Sequence, residues 1–157
     1  MTPSIDQTVP DFSAPATGDS TFTLSAHRGK TLVLYFYPKD NTPGCTAQSI
    51  GFRDHYESFR EANAEIVGVS RDSLRSHDGF RAKFELPFPL ISDADEAVCT
   101  LFNVIKNKKM YGKSVRGIER STFLIDPAGK LVKEWRGVSV PGHVEEVLKA
   151  ARALDSR

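Results

Sequence analysis

Cys45 is the residue whose surroundings point most directly to chemistry. It follows the run Leu32-Val-Leu-Tyr-Phe-Tyr-Pro38-Lys-Asp-Asn-Thr42-Pro43-Gly44, which reads as a buried strand, a turn and the start of a helix. The hydroxyl of Thr42 is placed to cap that helix, and Pro43 then takes the first helical position, where a missing N–H costs nothing. Gly44 lets another molecule approach the backbone closely. Cys45 is left among unpaired backbone N–H groups at the positive end of the helix dipole, which favours a thiolate over a thiol. A thiolate held there is a nucleophile. A packing thiol, the plainer reading of a lone cysteine, would not need this context.

The elements that position Cys45 follow from the hydrophobic pattern. The residues before about Thr21 form an extended lead-in with a possible hairpin, and Phe22–Leu24 reads as a short strand. Thr31–Tyr37 is a β-branched and aromatic run, hence a strand covered on both faces. Phe52, Tyr56 and Phe59 recur at helical spacing and predict one helix from Pro43 to about Ala62. Ala64–Ser70 is the next strand, Ser73–Phe84 a short helix and Pro89–Ile91 a short strand. Ser92 or Asp93 is placed to cap a helix running through Phe102. Ser121–Ile125 and Lys130–Trp135 flank the turn Asp126-Pro-Ala-Gly129 and form a hairpin. Val144, Val147, Leu148 and Ala151 mark a closing helix. This order gives an α/β chain with a mixed sheet and helices on both faces, in a single domain over 1–157.

Bulk properties narrow the function classes. The chain has 157 residues, 39% hydrophobic and 26% charged, with a formal net charge of +1. Nothing in that balance calls for a nucleic acid. The basic stretch Lys106–Lys109, with Lys113 and Arg116, reads as a solvated loop before a strand. No apolar run approaches the roughly 20 residues needed to cross a bilayer. The segment MTPSIDQTVPDFS has neither a basic nor an apolar leader region, so a cytoplasmic location is expected. In such a compartment a bond between Cys45 and Cys99 would be transient and part of a catalytic cycle. His27, His55, His77 and His143 are scattered, with no pair at metal-ligand spacing, and read as surface or structural residues; no metal or cofactor is expected. Glu145-Glu146 and Asp93-x-Asp95-Glu96 read as solvated helix positions and caps.

Two motifs carry a family resemblance. Pro38-x-x-x-Thr42-x-x-Cys45 resembles the active-site signature of the peroxiredoxins, and YFYPKDNTPGCTAQ resembles their bacterioferritin-comigratory, or PrxQ, branch. Downstream, Gly117-Ile-Glu-Arg120-Ser-Thr-Phe-Leu-Ile-Asp126 is similar to the segment where that branch has an arginine opening a strand. The likeness runs from VPDFSAP to the closing helix. It implies a thioredoxin-like fold and a thiol-dependent peroxidase acting on hydrogen peroxide and organic hydroperoxides. Cys45 would be the peroxidatic thiol, with Arg120 supplying positive charge and Thr42 holding peroxide and sulfur in place. Pro38 would shield the sulfur from water, and Gln48 would orient the arginine. The reductant would be thioredoxin, glutaredoxin or a small thiol. Members of the branch are often monomeric, so a monomer is expected.

Cys99 leaves two cycles open. Many members of the branch carry a resolving cysteine five positions after the first, where this chain has Ile50. Some place it on the following helices, which makes Cys99 a candidate resolver. On its own helix Cys99 falls on the flank of the apolar face set by Ala94, Val98, Leu101 and Phe102. Bonding to Cys45 requires the two Cα atoms to come within about 7 Å, so the first turn around Cys45 would have to unwind. The alternative is a one-cysteine cycle completed by an external thiol. Two other activities use a similar fold, and each lacks a residue here. A disulfide oxidoreductase of the Cys-x-x-Cys kind would need a cysteine at Gln48, and a copper-delivery domain would need one at Ser49.

Overall fold

The computed structural model describes residues 2–156. An N-terminal hairpin, β1 (Ser13–Ala16) and β2 (Ser20–Thr23), leads to β3 (Thr31–Phe36), followed by α1 (Pro43–Asp54), α2 (Tyr56–Glu61) and β4 (Ala64–Ser70). Next come α3 (Leu74–Lys83), β5 (Leu90–Ser92), α4 (Ala97–Leu101) and a second hairpin, β6 (Ile105–Met110) and β7 (Lys113–Ile118). The chain closes with β8 (Ser121–Ile125), β9 (Leu131–Arg136) and α5 (His143–Asp155).

The main sheet has seven strands in the order β2-β1-β5-β4-β3-β8-β9. β3 lies inside it, parallel to β4 and antiparallel to β8. Every residue of β3 is buried, as its apolar run requires. Side chains alternate across a strand, so the two faces take different sets. Val33, Tyr35 and Tyr37 pack with Cys45, Phe52, Phe59, Phe80 and Val144, on the side covered by α1, α2, α3 and α5. Leu32, Leu34 and Phe36 pack on the other side with Phe123, Val98, Cys99 and Phe102, under α4. The sheet therefore separates the two cysteines into different cores.

The fold is the mixed, helix-flanked sheet expected from the element order, but four local readings change. The helix from Pro43 is two helices, broken at His55. The His55 ring bonds the Gly51 carbonyl at 2.9 Å, while its backbone N–H reaches the same oxygen at 3.2 Å. His55 stands between the two helices as their shared cap residue (φ −101°, ψ 7°). The helix expected from Ser92 or Asp93 begins only at Ala97, after Glu96 in a left-handed conformation (φ 64°). Asp93 nonetheless caps it from upstream, accepting from the N–H groups of Val98 at 3.0 Å and Cys99 at 2.7 Å. Asp93 is thus buried, and it is not the solvated position expected. The basic stretch is not a loop but the β6–β7 hairpin, with Lys106 opposite Gly117 and Asn107 opposite Arg116. Too few apolar residues alternate there for the pattern to announce strands; backbone pairing alone makes them. Its Arg116 is tied to Glu96 at 2.5 and 2.6 Å, and Arg71 reaches the same carboxylate at 3.0 Å. Among the described residues, no helix is long and apolar enough to cross a membrane.

Candidate active site

The site forms where β3 ends. After Tyr37 the loop 38–42 turns back, with Asn41 in the left-handed region (φ 63°), a conformation asparagine tolerates better than most residues. Pro43 opens α1 at its first position, as expected. Thr42 has the extended backbone of an N-cap (φ −88°, ψ 150°), and its carbonyl accepts from Thr46 at 2.9 Å. Its hydroxyl, however, does not cap the helix. It donates back to the Lys39 carbonyl at 2.8 Å and closes the loop on itself. The first turn of α1 is left without a side-chain cap.

Cys45 is 1% exposed at the start of α1. Arg120 arrives from the junction between β7 and β8, 75 residues away in sequence. Its backbone carbonyl accepts from the Val138 N–H at 3.0 Å, which ties it to the β9–α5 loop. The guanidinium divides its donors between two partners. Nη2 donates to the Cys45 sulfur at 3.3 Å, and Nη1 donates to Gln48 Oε1 at 2.6 Å. Gln48 lies one turn along α1 on the same side as Cys45 and is completely buried, so its amide fixes the plane of the fork. Gln48 Nε2 has no hydrogen-bond partner among the described residues. Gly44 makes the approach possible: a Cβ there would stand 3.2 Å from Arg120 Nη2 and 4.0 Å from Val140 Cγ2.

The structure thus brings Cys45, Arg120 and Gln48 together, with Thr42 at the helix start. Pro38 is exposed. Cys99 lies elsewhere. It is 0% exposed, more deeply buried than its flank position predicted, and it sits in the core on the far side of the sheet. Burial pushes its thiol well above the ordinary range, and the neighbouring Asp93 carboxylate pushes it further.

These features match known proteins. The model of the AhpC/TSA family matches residues 5–134. The chain belongs to the AhpC/TSA family of peroxiredoxins. A peroxiredoxin Bcp of Xanthomonas campestris is 54% identical over 91% of this chain and 89% of its own length. One from Bacillus subtilis is 48% identical over the whole of both chains. A solved bacterioferritin comigratory protein of Xanthomonas campestris, described for its alkyl peroxide reduction activity, superposes with a TM-score of 0.88 at 52% identity, covering 92% of each chain. As a peroxiredoxin of thioredoxin-like fold, this chain is a thiol-dependent peroxidase.

Other residues in this peroxiredoxin meet around the loop without having been singled out for it. Ser49 is bonded to Tyr35 at 2.9 Å beneath α1. The carboxylates of Asp40 and Asp72 and the His77 imidazole lie within 4.8 Å of one another, a grouping that could hold a metal ion. Their atoms are already engaged. His77 Nε2 faces the Ile91 carbonyl at 2.8 Å and so carries hydrogen, and Nδ1 faces Asp40 at 2.7 Å. No sequence spacing foretold this, because the three come from two loops and a helix. His143 is likewise buried, bonded to Thr122 at 2.8 Å. Burial lowers its affinity for a proton below the ordinary imidazole value, outweighing the nearby Glu146 carboxylate, which acts the other way.

Proposed function

We propose that Cys45 is the peroxidatic thiol of this peroxidase and that the cycle is completed by an external thiol. The observation that carries the reading is the Arg120 guanidinium held against the Cys45 sulfur at 3.3 Å by Gln48. The thiolate sulfur attacks the terminal oxygen of ROOH: an S–O bond forms, the O–O bond breaks, and RO⁻ leaves and takes up a proton to give ROH. Sulfur loses two electrons to the peroxide and becomes a sulfenic acid. Arg120 stabilises charge on both the attacking sulfur and the departing oxygen, helped by the uncapped N–H groups at the start of α1. Thr42 sits at that same helix start, where its hydroxyl oxygen retains lone pairs for the peroxide hydrogen. Pro38, which has no N–H to offer, forms the outer rim.

Resolution follows from access. Cys99 is buried behind the sheet with its thiol held protonated, the opposite of what a resolving nucleophile needs. One external R′SH condenses with the sulfenic acid to a mixed disulfide and water. A second R′SH then releases Cys45 as a thiol, with R′SSR′ as product. Thioredoxin, glutaredoxin and small thiols all fit this scheme. A monomer suffices, because Cys45, Thr42, Gln48 and Arg120 come from one chain.

The test is the intact mass of the reduced protein after one equivalent of hydrogen peroxide, without added thiol. Gain of one oxygen, trapped on Cys45, is expected, and Cys99→Ala is expected to turn over with a small thiol within about twofold of wild type. Loss of two hydrogens with a Cys45–Cys99 disulfide would overturn the one-cysteine cycle. Full peroxide consumption by Cys45→Ser would overturn the assignment of Cys45.

A further inference from the structure

The loop that joins β3 to Cys45 has one buried side chain of its own. Of residues 38–42, only Asp40 is buried; Pro38, Lys39 and Asn41 are exposed and Thr42 is half-buried. The Asp40 carboxylate is fully used. One oxygen accepts from the Tyr37 hydroxyl at 2.6 Å, and the other meets His77 Nδ1 at 2.7 Å and accepts from Ser76 Oγ at 2.8 Å. The Asp40 backbone N–H donates to Asp72 at 2.9 Å, and Asp72 in turn accepts from Ser70 Oγ at 2.5 Å.

Such a buried pair is not the most stabilising way to fill a core. A well-packed apolar side chain often does as well or better. A carboxylate with three directed bonds does something an apolar residue cannot, which is to set the position of the backbone that carries it. Asp40 is two residues before Thr42 and five before Cys45, and its partners are Tyr37, which directly follows β3, Asp72 in the β4–α3 loop, and Ser76 and His77 in α3. The loop itself has no other buried anchor among its side chains.

We infer that Asp40 and His77 form a positioning pair that holds the Thr42–Cys45 segment in the geometry needed to receive peroxide. The pair touches neither sulfur nor peroxide and acts through the loop. The inference rests on the assignment of Cys45 as the peroxidatic residue. Removing Asp40 would let the segment shift by a fraction of an ångström to an ångström, a displacement that can cost on the order of 100-fold when reacting groups must align. Alkylation of Cys45 makes a different demand. It needs a reachable thiolate but not an aligned peroxide, so a loosened loop should leave it unchanged or speed it.

The experiment compares two rate constants in folded, reduced protein, measured well below its melting temperature: peroxide reduction, and iodoacetamide alkylation at Cys45 read by peptide mass. Asp40→Ala is expected to slow the peroxide step roughly 10- to 100-fold while alkylation holds or rises. Asp40→Asn, whose amide can accept from Tyr37 and donate to a neutral His77, is expected to restore most of the loss. If Asp40→Ala does not fold, Tyr37→Phe removes one of the three bonds without leaving a buried charge unpaired; a slowing of about threefold, again without slower alkylation, is expected. Peroxide rates equal to wild type in the folded variants, with only a lower melting temperature, would overturn the inference. So would a parallel fall of both rates. Cys45→Ser, run alongside, separates the two assignments: if it is inactive while Asp40→Ala is fully active, only the positioning role fails.

Discussion

Replacing Arg120 by alanine removes the guanidinium bonded to the Cys45 sulfur, and the size of the effect can be worked from the geometry. The Nη2 group donates at 3.3 Å. Hydrogen bonds to charged groups contribute about 1.5–3 kcal/mol. At about 1.4 kcal/mol per factor of ten, a bond kept through the transition state corresponds to a rate loss of roughly 10- to 150-fold. A second effect falls on stability. Gln48 is fully buried, its Nε2 already lacks a partner among the described residues, and Arg120 is the donor to its Oε1 at 2.6 Å. Stranding that oxygen costs about 1–3 kcal/mol, which in a domain of this size lowers the melting temperature by about 2–4 °C per kcal/mol. Arg120→Lys keeps a charge but offers one ammonium group in place of a planar fork, so it cannot reproduce both bonds in their present plane. An intermediate rate is expected. The assay is stopped-flow consumption of hydrogen peroxide by the reduced protein, with thermal melts on the same samples. A rate for folded Arg120→Ala within twofold of wild type would refute the reasoning, whatever the melt shows.

Three further outcomes are expected. Gly44→Ala places a methyl group 3.2 Å from Arg120 Nη2, so the guanidinium must retreat slightly from the sulfur; the peroxide rate constant should fall about three- to tenfold by the same energy scale, with an unchanged circular dichroism spectrum. Gly68→Ala has no such freedom, because its Cβ would lie 2.8 Å from both Leu90 Cδ2 and Tyr35 Cζ. Overpacking of this kind costs about 1–3 kcal/mol or more, and chemical denaturation should show it. Finally, Arg116 and then Arg71 hold the Glu96 carboxyl down to about 2 from 4.5. A depressed carboxylate contributes stability that is fully present above its unfolded value and lost as pH falls through the folded one. Wild type should therefore lose stability between pH 4.5 and about 2 more steeply than Glu96→Gln, as measured by urea midpoints across that range.

The parts of the site that lie close together in the chain are legible in the sequence. Helix start, proline at its first position and a cysteine two residues later are local features, set by backbone sterics and by which groups remain unpaired at a helix end. The strand β3 was equally plain, because burial on both faces leaves a continuous apolar run. Where the pattern was thin, the reading failed. The β6–β7 hairpin has exposed and basic positions on both faces, so nothing but inter-strand pairing distinguishes it from a loop.

Long-range placement depended on the tertiary structure. Arg120 is 75 residues from Cys45, and by pattern alone it was an ordinary strand-start cation; sheet register and the Gly44 approach put it on the sulfur. The Thr42 hydroxyl was placed by local pattern to cap the helix, and the loop geometry instead turned it to the Lys39 carbonyl. His77 and Asp40 carry no motif between them, yet they meet in a buried pair behind the active-site loop. Cys99 is the clearest case. Its helical position left it between core and surface, and whether it could reach Cys45 turned on which face of the sheet α4 covers. Side-chain chemistry and local backbone preference are properties of the chain itself. Which distant groups share a cavity, and which are divided by a sheet, is settled only when the strands pair.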